Sequence, residues 1–232
     1  MEFLIREQKV PGYQAERLFD GVERFRKAWA RYHRPDDVNH LLHLFTKVAL
    51  RRGYMLDYLP VGGLSSGWIW PYARRADPHP DSGPPLALTA MARDRLISMR
   101  GSGELRRVEI DTLYAFLGYE MSPLGLFEYA VFISELWATK SASKASDWLD
   151  LVPVVTRRQF DGILRKAGDR VQRVIRPAIY DPLVRLDGQA GGEVRFMVFQ
   201  GGAWKRITML VIKVDGNGSV RREFGDLVAN LR

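Results

Sequence analysis

Residues 194–224 read VRFMVFQGGAWKRITMLVIKVDGNGSVRREF, in which three apolar runs are separated by two glycine-containing turns. A Gln-Gly-Gly turn after residue 199 and an Asp-Gly-Asn-Gly turn after residue 214 are typical of connections between antiparallel strands. The middle run is apolar on both faces around residues 209–212, which predicts a central strand covered on both sides. The predicted strands are 194–199, 204–214 and 220–224.

The residues before this stretch predict one helix and one further strand. Thr156 and Gln159 have the spacing of a capping box, which predicts a helix that ends at Gly168. A fourth strand is predicted within residues 171–186, interrupted by two prolines. An alternative places a second helix after Gly168, so that residues 156–175 form a helix-turn-helix followed by a β-hairpin wing.

The N-terminal part predicts helices around a leading strand and an aromatic β-hairpin. A small, polar run at residues 139–146 predicts a linker between parts 1–142 and 143–232, which could also pack as one domain. The predicted class is α+β, with a mainly helical N-terminal part followed by a helix and an antiparallel sheet of three or four strands. In chain order, the N-terminal part predicts a strand at 1–10, helices at 13–32 and 35–52, hairpin strands at 54–59 and 68–72, helices at 88–99 and 105–117, and a buried central helix from Ser122-Pro123.

Composition excludes several classes of protein. The chain has 232 residues, of which 46% are hydrophobic, so it can form a substantial core. It contains no cysteine, which removes disulfides, thiolate metal sites and cysteine nucleophiles. Charges interrupt the first ten residues and the apolar stretch at 123–138, so we expect neither a signal peptide nor a membrane span. The sequence predicts a cytoplasmic protein without a cofactor.

Most of the net positive charge lies in the C-terminal part. Residues 143–232 contain 16 Lys and Arg against 10 Asp and Glu, whereas residues 1–142 contain 19 against 17. A basic region beside a nearly balanced one favours an anionic partner, with DNA or RNA first and an acidic protein or a membrane next. The predicted phosphate-binding residues are Arg157, Arg158, Arg165, Lys166, Arg170, Arg173, Arg176, Lys205, Arg206 and Arg222.

The aromatic hairpin is a candidate platform for unpaired bases. Trp68, Trp70 and Tyr72 alternate along a predicted strand and so share one face, and two arginines follow them. Aromatic side chains beside arginines can stack on bases. Packing of this face against the preceding helices is the favoured interpretation, because they need a partner, and base stacking is the alternative.

Three residues of the second predicted helix could bind a metal ion. Asp36, His40 and His43 would share one helix face, and a carboxylate with two imidazoles suits zinc or iron. Lys47 would lie on the same face, where its cation disfavours a divalent metal. A solvated histidine face is therefore the favoured interpretation, with a metal-dependent hydrolase kept as an alternative.

No sequence motif specifies a reaction. The glycine-rich residues 61–67 lack the lysine of a P-loop and precede a predicted strand instead of a helix. Glu128 and Glu135 of the central helix are separated by roughly 10 Å along its axis, which favours ion pairs or helix contacts over a shared proton. We expect a non-enzymatic nucleic-acid-binding protein. A protein-binding adaptor, a subunit of a larger complex or a homo-oligomer is the alternative.

Overall fold

A computed structural model describes residues 7–32, 38–61, 68–75, 113, 116–138, 151–188, 190–201 and 205–231. These ranges contain four helices and eleven strands. The helices are α1 (Gly12–Tyr32), α2 (Val38–Leu42), α3 (Pro123–Ala138) and α4 (Arg157–Ala167). The strands are β1 (Glu7–Lys9), β2 (Val48–Leu50), β3 (Tyr54–Val61), β4 (Trp68–Arg75), β5 (Leu117–Tyr119), β6 (Leu151–Val154), β7 (Val171–Val174), β8 (Leu183–Leu186), β9 (Gly192–Gln200), β10 (Lys205–Val214) and β11 (Val220–Leu231).

Seven of the described strands form one antiparallel sheet. Their order is β1-β8-β9-β10-β11-β7, and β6 also pairs with β9. Because β8 pairs with residues 192–195 and β6 with residues 197–200, the two short strands share one edge of β9. The predicted α+β class is confirmed, but a sheet of three or four strands is wrong. The predicted count is too low because β6 was not predicted, because the single strand predicted within residues 171–186 is two strands, β7 and β8, and because the predicted leading strand, β1, was not assigned to this sheet. Each of these four strands has only three or four residues, too few to show an alternation of apolar and polar residues.

The predicted meander at 194–224 is present as β9, β10 and β11. Met209 of β10 lies opposite Met197 of β9, and Val214 lies opposite Val220 of β11. β11 continues to Leu231, with two register shifts against β10 after the predicted end of the strand. Such bulges bend a strand. The last three residues of β11 also pair with β7.

Helices cover both faces of the sheet, which explains why β10 is apolar on both sides. On one face, Phe196 of β9 packs against Phe127 of α3, with ring centroids 6.0 Å apart. On the other face, Met197 belongs to a second apolar cluster with Phe160 of α4. Neighbouring residues of a strand point to opposite faces, so Phe196 and Met197 contribute to different cores.

α3 is the central helix predicted from residue 123. Its side chains from residue 125 to residue 136 are all buried. The Ser122 hydroxyl accepts a hydrogen bond from the Gly125 N–H at 3.1 Å, as expected for a capping serine. A Cβ atom at Gly125 would lie 2.0 Å from the Glu120 carbonyl oxygen, so this position requires glycine. The Tyr129 hydroxyl donates to the Gly218 carbonyl at 2.9 Å and joins α3 to the β10–β11 turn.

Residues of both predicted parts lie in one apolar core. β1 pairs with β8, with Lys9 opposite Leu183. Phe19 of α1 packs against Phe196 of β9 with ring centroids 5.5 Å apart. The predicted linker at 139–146 lies outside the described residues, so the division at residue 142 stays a prediction.

The second predicted helix is shorter than expected. α2 ends at Leu42, and residues 48–50 form β2, which pairs with β5. Glu128 of α3 provides the physical reason, because its carboxylate accepts the Lys47 N–H at 2.6 Å and the Thr46 hydroxyl at 3.1 Å. These bonds hold residues 46–47 in a turn that helical periodicity alone does not reveal.

The aromatic hairpin is confirmed, with Val61 of β3 opposite Trp68 of β4. The helix predicted at 88–99 lies outside the described residues, as does most of that predicted at 105–117. Leu117 itself begins β5.

The helix-turn-helix alternative is wrong. After α4, Gly168 has a φ of 55° and begins a short 3-10 turn that ends at Arg170. The chain then enters β7 instead of a second helix, and β7 pairs with the end of β11. The β-branched Val171 and Val174 are suited to this strand.

Candidate nucleic-acid interface

The capping box predicted at the start of α4 is present. Gln159 N–H donates to the Thr156 hydroxyl at 3.3 Å, and Gln159 Oε1 accepts from the N–H groups of Val155 at 2.9 Å and Thr156 at 3.2 Å. Phe160 is fully buried beneath this turn. These backbone hydrogen bonds and the buried Phe160 side chain therefore fix the first turn of α4. Arg157 of the same turn is exposed to solvent.

Three arginines surround one aspartate on the outer side of α4. Arg157 Nε lies 3.4 Å from Asp161 Oδ2, and Arg176 NH1 lies 3.1 Å from Asp161 Oδ1. Arg165 Nε donates to the Asp161 carbonyl oxygen at 3.5 Å. The side chains of Arg157 and Arg176 are 74% and 62% exposed, so most of their donors face water. We call Arg157, Arg165 and Arg176 the arginine cluster.

A cleft of about 580 Å³ adjoins the arginine cluster. Arg157 belongs to both features, and Lys9 of β1 also lines the cleft. Tyr13, which is 69% exposed, and Tyr180 contribute aromatic rings. The first turns of α1 and α4 meet here, and the Gly12 N–H of α1 donates to Asp181 Oδ1 at 2.7 Å.

Arg158 points away from the arginine cluster. Its NH2 group lies 2.7 Å from Glu16 Oε1 of α1. The hydrogen bond and charge of Glu16 raise the pKa of Arg158 above its usual value. This ion pair joins α4 to α1 across the outer surface and leaves 80% of the Arg158 side chain exposed.

Two further predicted residues share one face of the sheet. Arg206 of β10 lies opposite Gln200 of β9 and Asn230 of β11, and Asn230 lies opposite Arg173 of β7. The Arg206 guanidinium donates to the Gln200 side-chain oxygen, and Asn230 donates to Gln172 at 3.0 Å. Ile207, the next residue of β10, packs in the apolar cluster with Phe160 of α4, so Arg206 and the residues paired with it lie on the opposite face of the sheet from α4 and its arginine cluster.

The remaining predicted residues are spread over the surface. Lys166 and Arg170 are exposed at the C-terminal end of α4. Lys205 precedes Arg206 in β10 and so has the opposite orientation. Arg222 lies opposite Ile212, six residues along β10 from Arg206, which is about 20 Å at the usual rise of a strand. The structure therefore brings together Arg157, Arg165 and Arg176 and does not place all ten residues on one face.

The predicted base-stacking residues belong to β4. Trp68, Trp70 and Tyr72 occupy alternate positions of that strand, as expected. Their side chains lie outside the described part of the structure, so their stacking role stays a prediction.

The histidines of the predicted metal site are exposed on the surface. His40 is the third residue of α2 and His43 follows the helix, with ring centroids 6.4 Å apart. Asp36 lies outside the described residues. Within the described ranges, no group of three His, Asp or Glu side chains is placed to bind a metal ion.

Both acids of α3 contact neighbouring elements, as predicted. Glu135 forms a bidentate ion pair with Arg26 of α1, at 2.9 Å and 2.5 Å. Glu128 binds the turn at Thr46 and Lys47, and its burial raises its pKa despite these hydrogen bonds. Both carboxylates thus hold α3 against its neighbours.

Residues 63–67, GLSSG, match the G-x-S-x-G pattern of serine hydrolases. In those enzymes the serine lies on a sharp turn from a strand into a helix. Here the pattern connects β3 with β4, two antiparallel strands of a hairpin. The surrounding fold therefore gives the pattern no support as a nucleophile, and residues 62–67 lie outside the described ranges.

Sequence reasoning missed the residues that complete the candidate interface. Asp161 follows Arg157 by one helical turn, a spacing that could have indicated their ion pair. Lys9, Tyr13 and Tyr180 come together only through the pairing of β1 with β8, for which the sequence carries no local signal.

Comparison with protein-family models, curated proteins and solved structures found no match. Of the helices that the structure describes, none has both the length and the apolar character needed to cross a membrane. The case for a function therefore depends on the residues of this chain.

Proposed function

We propose that this protein binds nucleic acid, chiefly through phosphate groups, at the arginine cluster and the cleft beside it. The observation that carries the proposal is the convergence of Arg157, Arg165 and Arg176 on Asp161. Arg157 and Arg176 contact the Asp161 carboxylate, and Arg165 contacts the backbone carbonyl of the same residue. This exposed surface therefore has three positive charges around one negative charge, an excess that attracts anions.

Asp161 orients the arginines without occupying all of their donors. A guanidinium group has five N–H donors in a planar fork, and the contacts to Asp161 use only part of them. The remaining donors of Arg157 and Arg176 are exposed and can form paired hydrogen bonds with phosphate oxygens. Pre-orientation by Asp161 reduces the conformational entropy lost when a phosphate binds.

The cleft adds two features that suit unpaired nucleotides. Lys9 supplies a further cation to the cleft that Arg157 also lines. Tyr13 exposes 69% of its surface at the edge of the same cleft and can stack on a base. We therefore propose single-stranded nucleic acid as the preferred form.

The test is binding of labelled single-stranded and duplex oligonucleotides as a function of salt, with intact protein freed of bound nucleic acid. Each phosphate contact to a single strand contributes roughly 0.7 to the slope of log affinity against log salt. The combined variant Arg157→Ala, Arg165→Ala and Arg176→Ala should therefore lower that slope by about 2. A slope that is flat in the wild type, or unchanged in the variant, contradicts the proposal.

A matched control removes the same number of charges elsewhere. Arg206 lies on the face of the sheet opposite to the cluster of Met197, Ile207 and Phe160. Lys213 and Arg221 pair with Glu223 and Asp215 near the β10–β11 turn, at the other end of β10. The triple alanine variant at Arg206, Lys213 and Arg221 has the same net charge as the cluster variant. It should retain most of the affinity if binding is local, whereas equal losses in both variants indicate non-specific attraction.

A protein-binding adaptor is the second candidate function. It is favoured by Tyr13, Ile175 and Ile179, apolar side chains 69%, 51% and 36% exposed around the arginine cluster and the cleft. Aromatic side chains beside arginines are common at protein interfaces. Light scattering after nuclease treatment separates the two functions, since retained nucleic acid supports the first and a co-purifying protein supports the second.

A further inference from the structure

The cleft beside the arginine cluster contains an acid among its cations. Asp181 lines this cleft together with Lys9 and Arg157. A carboxylate repels phosphate groups, so phosphate binding does not explain an acid at this place. The bases of a nucleic acid are uncharged and carry hydrogen-bond donors, which makes a base the part of a nucleotide that Asp181 suits.

Asp181 is held in place at one of its two carboxylate oxygens. Oδ1 accepts the Gly12 N–H at 2.7 Å. Among the residues that the structure describes, Oδ2 has no hydrogen-bond or ion-pair partner. Tyr180, directly before Asp181, packs its ring edge-to-face against the buried Phe160, with ring centroids 5.5 Å apart. The cleft therefore contains an acceptor whose orientation is fixed before a ligand binds.

Asp181 lies close to Tyr13 and to the first turn of α4. A Cβ atom at Gly12 would lie 3.0 Å from Asp181 Oδ1 and 3.2 Å from the side chain of Thr156, the residue before Arg157. Tyr13 follows Gly12 in α1 and exposes its ring at the same cleft. A carboxylate, an aromatic ring and a phosphate-binding arginine are thus gathered around one point of the backbone.

A carboxylate distinguishes guanine from the other bases. Ionised aspartate accepts hydrogen bonds and donates none. The Watson–Crick edge of guanine has two adjacent donors, the N1–H and the exocyclic amino group. Adenine, cytosine, thymine and uracil each have an acceptor next to the donor on this edge, and that acceptor would face a carboxylate oxygen. Guanine therefore gains a pair of hydrogen bonds where the other bases meet repulsion.

We propose that this cleft binds a guanine base of single-stranded nucleic acid, stacked on Tyr13 and donating its N1–H and amino group to Asp181. The inference rests on the proposed function, since the arginine cluster holds the neighbouring phosphates. It adds a sequence preference, which phosphate contacts alone do not provide. In a duplex the same edge of guanine is paired with cytosine, so the preference requires a single strand.

Short oligothymidylates with one central base replaced test the preference, with intact protein freed of bound nucleic acid. The strand with guanine should bind roughly tenfold more tightly than those with adenine or cytosine, as is typical of a bidentate contact to one base. Hypoxanthine keeps the N1–H but lacks the exocyclic amino group, so its strand should have an intermediate affinity. Equal affinity for all strands overturns this inference. The salt dependence of the same titrations tests phosphate binding separately, and a failure to bind every strand overturns both proposals.

Asp181→Asn separates base recognition from phosphate binding. The amide keeps an oxygen for the Gly12 N–H but can place its NH₂ group against the donors of guanine. This variant should lose the guanine preference and, because a negative charge is removed, should bind the unsubstituted strand more tightly. Asp187→Asn is the matched control, since Asp187 also accepts a glycine N–H, that of Gly191 at 2.8 Å, and does not line the cleft. A guanine preference that survives in Asp181→Asn, or that is lost equally in Asp187→Asn, contradicts recognition by Asp181.

Discussion

Glu135 of α3 and Arg26 of α1 form a bidentate ion pair in which the Glu135 side chain is only 4% exposed. The pair connects the buried helix α3 to α1, and the Glu135 carboxylate has almost no contact with bulk water. Charges in such positions stabilise a fold only while both partners are present.

Arg26→Ala should lower the free energy of unfolding by about 3–5 kcal/mol, because it removes a cation from a carboxylate that stays buried. Chemical denaturation with circular dichroism measures this loss. The double variant Arg26→Met with Glu135→Leu should recover most of the stability, since apolar residues can replace a buried pair. Lys27→Ala is the control on the same helix, because its ion pair with Glu23 is exposed and should matter by less than about 1 kcal/mol.

Glu128 should make stability fall as the pH rises. Burial raises the pKa of Glu128 above its ordinary value of 4.5. Folding therefore favours the protonated form of Glu128. The stability that this preference contributes is fully present below pH 4.5 and is lost as the pH rises through the raised pKa. Glu128→Gln cannot ionise, so wild-type protein should lose stability relative to this variant as the pH rises from acid to neutral.

Glu120 provides the control of opposite sign. Its hydrogen bond with Lys47 lowers the pKa of Glu120, so its contribution is present above pH 4.5 and is lost as the pH falls. Relative to Glu120→Gln, wild-type protein should gain stability over the same rise in pH. If the free energy of unfolding of wild-type protein, relative to each variant, changes in the same direction with pH for Glu128→Gln and for Glu120→Gln, the assigned environments are wrong.

Thr156→Ala should destabilise the protein by about 1 kcal/mol, because the Gln159 N–H loses its side-chain acceptor at the start of α4. Thr156→Ser keeps the hydroxyl and should remain close to wild type. Thermal unfolding of the three proteins checks this prediction, and an equal loss in the serine variant would indicate that methyl packing, not capping, stabilises this turn.

Asp161→Asn should tighten the binding of single-stranded oligonucleotides severalfold at low salt. The variant removes the negative charge among Arg157, Arg165 and Arg176 but keeps an oxygen that can accept a hydrogen bond. Titration at several salt concentrations checks the effect, which should decrease as salt rises. Weaker binding would mean that orientation by the carboxylate outweighs its charge.

The sequence contained enough information for the elements with strong local signals. The meander of β9 to β11, the capped helix α4 and the apolar helix α3 all have periodicity, turn residues or caps that depend only on neighbours in the chain. A strand was also predicted at residues 1–10 and one within residues 171–186, but local residues do not reveal β6, the division of the second strand into β7 and β8, or the pairing of β1 with β8, because these short strands pair with distant residues. The sheet was therefore underestimated.

The candidate interface shows the same limit. Arg157, Arg165 and Arg176 could be selected from the charge pattern, but nothing in the sequence separates them from Arg206 or Arg222. Arg176 follows β7, which comes directly after α4 and its 3-10 turn, and its contact with Asp161 has no signal in the local sequence. Charge identifies the candidates, and the fold decides which of them meet.

The pairing of β1 with β8 joins residues 7–9 to residues 183–185. During synthesis, β1 leaves the ribosome long before β8 has been made. Phe19 of α1 is likewise synthesised long before Phe196 of β9, against which it packs. The early segments must therefore remain incompletely folded until most of the chain has emerged. A chain that stops before β8 would lack the surface against which its own beginning folds.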